Sequence, residues 1–527
     1  MNSNNLFFQE IVNLIDKRIN SFIEGYRQNL ALLSNDREEI SYLLNKHLSI
    51  KEYKGVVTIY INALYMGDRE IYKNVVYDLL SNYLGTQNNL DSLIISAKEI
   101  IPLTTSLIRD NLGKKSISFI KVLELINRFI NETSRKCIFI IEEFTNLRET
   151  YDNFHQDFSQ FIMLQKMCMV ILASSHIESA QKMLSTELNF LFGNFEKIFL
   201  GESNFINSYI YLKEAIKPLN PTPFLLSFFV DILGKNIIYY DIMAENIKRY
   251  NDSDEVKCTE IAIENSLYRK ESYFYQKFIG IIDKLKEKVK EHIFLLRILF
   301  TLSNGYNRKK DILSLEICES KILLTKLQRL VEMGIISNFG DLYKIKDELF
   351  SFWLSHIFCF EVYPNIFSYY QKKHLFREKL CDTLKIFKES FYKDKLKRIL
   401  ELLNSFNDDI LKLGINKLKL PYVEKTKVIS YPEGKINLII GEGKEIIFAG
   451  IKEGLVEDTD IIYYLEKASA LKNKNVKRIF ITLDRFTTSA KVISEQNKLL
   501  TWDNDDINNL LKIYHKPIII DENIINF

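Results

Sequence analysis

Two apolar runs, CIFIIEE at 137–143 and MVILASS at 169–175, constrain this chain more than any other feature. Each follows a helical pattern and ends abruptly in polar residues. A strand that is apolar on both sides needs cover on both faces, which a parallel sheet between helices provides. The same rhythm recurs upstream. NLALLS (29–34) runs through Asn35-Asp36-Arg37 into EEISYLLNKHL, and GVVTIYINA (55–63) runs into REIYKNVVYDLLSNYL. Further helices are expected at 5–20, 122–133 and near 153–167. The amino-terminal part therefore reads as a three-layer α/β domain.

Composition narrows the function classes. With 527 residues, 47% hydrophobic, and only 18 Gly and 8 Pro, the chain can fold by burial and is not a linker-like or collagenous protein. Lys plus Arg (71) nearly balance Asp plus Glu (68), so only local charge can argue for nucleic acid. The six cysteines are widely spaced without a C-x-x-C, which argues against structural zinc and for a reduced, cytoplasmic chain. The amino terminus lacks a basic leader and an apolar core, and no later run reaches the ~20 apolar residues of a spanning helix. Neither a signal peptide nor a membrane segment is expected.

In a parallel α/β sheet, chemistry sits beyond the carboxyl ends of the strands. Three ends here are polar: Ser34 onward, Glu142-Glu143, and Ser174-Ser175-His176. A phosphate-binding loop needs G-x-x-x-x-G-K-[ST], whose glycines let backbone N–H groups close on phosphate while the lysine neutralises it. Laid over residues 34–41, that frame puts Ser34 and Glu39 at the glycine places, Ile40 at the lysine place and Ser41 at the hydroxyl place. Only Ser41 fits. Arg27 and Arg37 are the nearby cations that would have to compensate.

On these residues the chain resembles the archaeal-type ATPases of the STAND branch of AAA+ P-loop proteins. NLALLSNDREEISYLL looks like the first strand, P-loop and helix, and CIFIIEEFTNL like the Walker B strand. The resemblance implies that Glu142 stands at the magnesium aspartate, that Glu143 stands at the water-polarising glutamate and that Ser174 belongs to the sensor strand. In LFGNFEKIFLG (191–201), Asn194 stands where relatives carry arginine. With lysine, glycines, aspartate and arginine all replaced, the expected outcome is a domain that neither hydrolyses ATP nor needs a cofactor. The alternative is an unconventional site for ATP and Mg2+.

The remaining chain divides, on the same reading, into a helical lid (203–280), a winged helix-turn-helix (281–364) and basic helices with a nuclease-like domain (365–527), after an ATPase-like domain at 1–202. RKKDILSLEI, residues 319–333 and the β-prone IISNF and LYKIKD give the helices and hairpin of the winged helix. DELFSFWLSHIF (347–358) then extends the resemblance, with Asp347 expected to cap a helix. KINLIIG, KEIIFAGIK, a helix and VKRIFITLD look like the core of the restriction-endonuclease-like fold. That likeness puts Asn437 and Gly450 at its metal-binding acids and leaves Lys452 as the sole vestige. The fold class expected is thus α/β multidomain: a P-loop NTPase-like parallel sheet, lid, winged helix and restriction-endonuclease-like domain.

The function expected is a catalytically silent ATPase-like scaffold. Its expected partners are DNA, a protein or a second copy of the chain. Residues 371–400 carry ten Lys or Arg against four Asp or Glu. The phosphate-contacting candidates are therefore Lys372, Lys373, Arg377, Lys379, Lys393, Lys395, Lys397 and Arg398, with Lys321, Lys326 and Arg329 on the winged helix.

Overall fold

Five parallel strands, β1 (Asn29–Leu33), β2 (Val56–Asn62), β3 (Lys136–Glu142), β4 (Cys168–Ser174) and β5 (Phe195–Phe199), form a sheet in the order β2-β3-β4-β1-β5. In this computed structural model the described residues are 9–34, 37–48, 53, 55–64, 66–188, 194–200, 204–249, 255–288, 292–314, 320–361, 367–413, 416–430, 436–443, 445–469 and 476–521. Alternate residues of β1 to β4, such as Leu33, Ile59, Phe139 and Val170, pack into one core with helices Asp68–Leu84, Phe119–Thr133 and Phe154–Leu164. The intervening residues Leu32, Ile138, Ile140 and Ile171 are equally buried, so both faces are covered. That double cover is why these strands read as continuous apolar runs.

Strand order also locates the functional end. The chain leaves β1 for the far edge at β2, then returns through β3 and β4 and crosses β1 to reach β5. Because the connections after β1 and β4 run in opposite directions across the sheet, the carboxyl ends of these neighbours are its topological switch point, where sheets of this kind hold their ligands. A five-stranded parallel sheet with helices on both sides, built in this way, fits a P-loop NTPase-like α/β fold. Residues 4–202 form one unit and 203–527 another, so the three later regions expected from sequence share a single unit.

In the second unit, helices His292–Ser303, Lys309–Ser314 and Ser320–Glu332 precede an antiparallel hairpin of β6 (Ile336–Asn338) and β7 (Tyr343–Ile345). Asp347 caps the next helix as expected, its Oδ1 accepting the Phe350 N–H at 2.9 Å. Trp353 and Phe350 stack in the interior beside Phe278. The hairpin tip is pinned to a two-stranded ribbon, β8 (Asp409–Leu413) and β9 (Asn416–Leu420). The Asp341 N–H donates to the Ile410 carbonyl at 3.0 Å and the Lys412 N–H to the Phe339 carbonyl at 3.1 Å. Gly340, at φ +87°, lies so close that a Cβ there would stand 2.1 Å from the Ile410 oxygen. Arg308 grips Asp409 through two bonds of 2.8 and 2.9 Å, and the Tyr514 hydroxyl donates to the same carboxylate at 2.8 Å.

The last sheet runs β10 (Lys425–Ser430), β11 (Asn437–Glu442), β12 (Ile446–Lys452), β13 (Val476–Thr482) and β14 (Leu500–Trp502). Its first three strands are antiparallel and its last three parallel. Leu500–Trp502 pairs with β13, and the helix that follows starts at Asn504 behind an Asp503 cap. No helix among the described residues is long and apolar enough to cross a membrane. Cys137, Cys168, Cys258, Cys359 and Cys381 are free thiols, and Cys318 lies outside the described residues.

Candidate functional site

The carboxyl ends of β1, β3 and β4 bring Ser34, Glu142 and Ser174 to one edge, where all three are fully buried. The Ser34 N–H donates to the Ser174 carbonyl at 3.2 Å, closing the β1–β4 pair. The Ser34 hydroxyl donates to the Glu39 carboxylate at 2.8 Å. These are the two places where a phosphate loop has glycines, so two bonded side chains stand where backbone N–H groups would meet an anion. Ile40, at the lysine place, is buried in the core. Asn35 and Asp36 lie outside the described residues.

The hydroxyl place behaves differently. Ser41 donates to one oxygen of Glu142, while the Tyr60 phenol donates to the other. Burial and then Glu142 push the Tyr60 phenol well above its ordinary pKa, against smaller opposing effects of Asn62 and Arg37. Both oxygens of Glu142 are thus engaged inside the protein. Glu143 takes the left-handed conformation, φ 53° and ψ 43°, which a non-glycine residue adopts at a cost. Its carboxylate accepts the Ser175 N–H at 3.1 Å. The Ser174 hydroxyl accepts the His176 N–H at 3.1 Å and lies 3.5 Å from the Thr145 hydroxyl.

Arg27 does not supply the missing lysine in this arrangement. Arg27 donates to the carbonyls of Ile162 at 2.8 Å, Cys168 and Gln165, at the amino end of β4 and away from Ser34. Arg37 is exposed at the start of helix Arg37–Leu43. Tyr60 and Thr145 were missed from sequence. Tyr60 sits on the half-buried side of the alternating strand β2, and that alternation was the available signal. Leu191 to Gly193, the segment before Asn194, lie outside the described residues.

The carboxyl-terminal acids need a correction. Gly450 pairs with Leu438, whereas Asn437 pairs with Ile451. Side chains alternate along a strand, so Asn437 lies on the opposite face from Gly450 and Lys452 and the three cannot converge on one metal. A Cβ on Gly450 would stand 2.7 Å from the Tyr464 ring and 3.0 Å from that of Phe480. Lys452 pairs with Asp460 at 2.5 Å, both largely buried. Among the described residues no group of three or more His, Cys, Asp or Glu could hold a metal ion.

The cations chosen from sequence are mostly engaged within the chain. Lys372 meets Glu361 at 3.1 Å, and Lys373 and Arg377 meet Glu264 at 2.6 and 2.7 Å. Burial alone would raise the Glu264 carboxyl, but these two cations hold it below its usual pKa. Lys379 donates to the Ser355 carbonyl at 2.7 Å, Lys393 pairs with Glu401, and Lys395 pairs with Asp521 at 2.5 Å. Arg398 is buried, donates to the carbonyls of Pro517 and Ile518 at 2.6 and 2.9 Å, and has its pKa lowered by that burial to about 10. Lys397, Lys321 and Arg329 are exposed, and Lys326 is half-buried. A local charge count overlooked partners far away in sequence.

No family model and no curated protein matches the chain. Among solved structures it is similar to the Walker-type ATPase of Pyrococcus abyssi, at 18% identity and a TM-score of 0.44, covering 66% of this chain and 95% of that one. The ORC2 protein of Aeropyrum pernix, in ADPNP–ADP complexes, is similar at 12% identity and 0.40, covering 71% and 94%. The ORC1 protein of the same organism, in complex with DNA, is similar at 10% identity and 0.32, covering 66% and 92%.

Proposed function

We propose that this chain is a catalytically silent ATPase-like scaffold of the AAA+/STAND type that associates with duplex DNA. One observation carries the silence: Ser34 and Glu39, at the two glycine places, are hydrogen-bonded to each other and buried beside a buried Ile40. Phosphoryl transfer depends on positioning and charge stabilisation, and this cradle offers a carboxylate where it needs N–H groups and a cation. Mg–ATP does not fit the residues present. The helices 292–332 and their hairpin are read as a winged helix. The sheet β10–β14 is read as a restriction-endonuclease-like frame without its acids.

A second reading has its own support. Ser41 and Glu142 meet, and a P-loop hydroxyl with a Walker B carboxylate is the pair that holds magnesium in active relatives. An unconventional regulatory ATPase would use that pair, with Glu143 polarising water. Phosphate release by the purified chain, with and without duplex DNA, separates the two. The expected result is a background rate that Glu143→Gln leaves unchanged and no heat on titration with Mg–ATP. Turnover that Glu143→Gln abolishes would establish the second reading.

A further inference from the structure

We propose that the outer face of the β8–β9 ribbon is a contact for the phosphate backbone of duplex DNA, carried by Lys412 and Lys417. This deepens the reading of the chain as DNA-associated and rests on it. The ribbon alternates by face. Leu411, Leu418 and Leu420 pack into the interior, while Ile410, Lys412, Lys417 and Lys419 face outward.

Lys412 and Lys417 stand directly opposite each other in the antiparallel register. Like charges in that position repel and cost stability. Both are exposed, and neither has a side-chain partner among the described residues. Lys419 is different, being held by Glu445 at 2.5 Å with Asp408 at 3.9 Å. Lys477 adds a further ammonium group by donating to the Lys419 carbonyl. Asp341, at the hairpin tip, is turned to the Ile410 N–H at 3.1 Å, and Asp409 is taken up by Arg308. While the helix 369–391 and its successor direct most of their cations at internal acids and carbonyls, this ribbon keeps two cations side by side and uncompensated. An anion with closely spaced charges relieves their repulsion, and a duplex backbone supplies one along a line that a two-stranded ribbon can follow.

The ribbon is also held in place. Its first strand is bonded to the hairpin tip at Phe339 and Asp341 and anchored through Arg308 and Asp409. A positioned pair of lysines loses less freedom on binding than a loose tail, and contacts to phosphate alone give little sequence preference.

The test titrates the full-length chain against a labelled duplex of random sequence at several salt concentrations. It compares the native chain with Lys412→Thr/Lys417→Thr and with Lys98→Thr, an exposed cation outside every basic stretch named above. The ribbon variant should bind about tenfold more weakly near 0.1 M salt, and its salt slope should be shallower by about 2, the loss of two phosphate contacts. Its thermal midpoint should match or exceed the native value, because a repulsive pair has been removed. Lys98→Thr should bind as the native chain does. A ribbon variant with native affinity and slope overturns the ribbon contact and leaves DNA association to other surfaces. If the native chain leaves the duplex free even at low salt, the DNA reading itself falls and the two lysines serve solvent or an acidic protein.

Discussion

Gly450→Glu, which puts an acid on β12 where the proposed nuclease-like reading finds one missing, is expected to unfold the carboxyl-terminal sheet rather than arm it. Even the first added carbon meets the rings of Tyr464 and Phe480 at 2.7 and 3.0 Å, and both rings are fixed in one apolar layer with Phe448. Gly450→Ala should therefore cost about 1–3 kcal/mol as an overpacked core. The glutamate adds a carboxylate with no partner in that layer and should cost more than about 4 kcal/mol. Urea unfolding of both variants checks this. Native-like stability of Gly450→Glu, with manganese-dependent cleavage of linear DNA, would sink the silent-nuclease reading.

Asp409→Ala should cost about 3 kcal/mol at neutral pH, because it leaves the largely buried Arg308 guanidinium with only the Ser405 carbonyl and a distant Asp311 and frees the Tyr514 hydroxyl. Burial alone would raise the Asp409 carboxyl, but Arg308, Tyr514 and the Asn407 N–H outweigh it and hold the pKa below the usual 3.8. A carboxyl whose folded pKa is depressed contributes stability that is fully present above its unfolded pKa. That stability is lost as pH falls through the folded value. The gap between native and Asp409→Ala proteins should thus stay constant from neutral pH down to about pH 5 and shrink below the usual carboxyl value. Urea midpoints at neutral and acid pH decide it. A gap that widens on acidification would mean that the ion pair is not what the substitution removes.

How much of this could be read in advance depended on how local each signal was. Strands β3 and β4 announced themselves because both of their faces are buried. Two residues that the resemblance singled out, Ser41 and Glu142, lie 101 residues apart in sequence and do meet. By contrast β5, with sequence FEKIF, is only partly buried, and β14 is three residues long. The leucine–lysine alternation of β8 and β9 was a strand signal that a count of basic helix residues overshadowed. Register was the finest detail. In a strand, a shift of one residue reverses every side chain, which is how Asn437 was aligned with Gly450 although the two face opposite ways. Charge failed for a related reason. Glu264 and Asp521 neutralise the basic helices from distant parts of the chain, and Glu361 does so from just ahead of the basic stretch.

The clasp at Gly340 has a consequence for motion. The hairpin tip and the first ribbon strand share backbone bonds in both directions, and the glycine leaves no slack between them. Neither can open while the other stays closed. Protected amides at Asp341 and Lys412 should therefore exchange with solvent deuterium as one cooperative event, at a common opening free energy. The hairpin tip would then inherit its rigidity from residues some seventy positions further along the chain, roughly the separation of the Asp341–Ile410 bond.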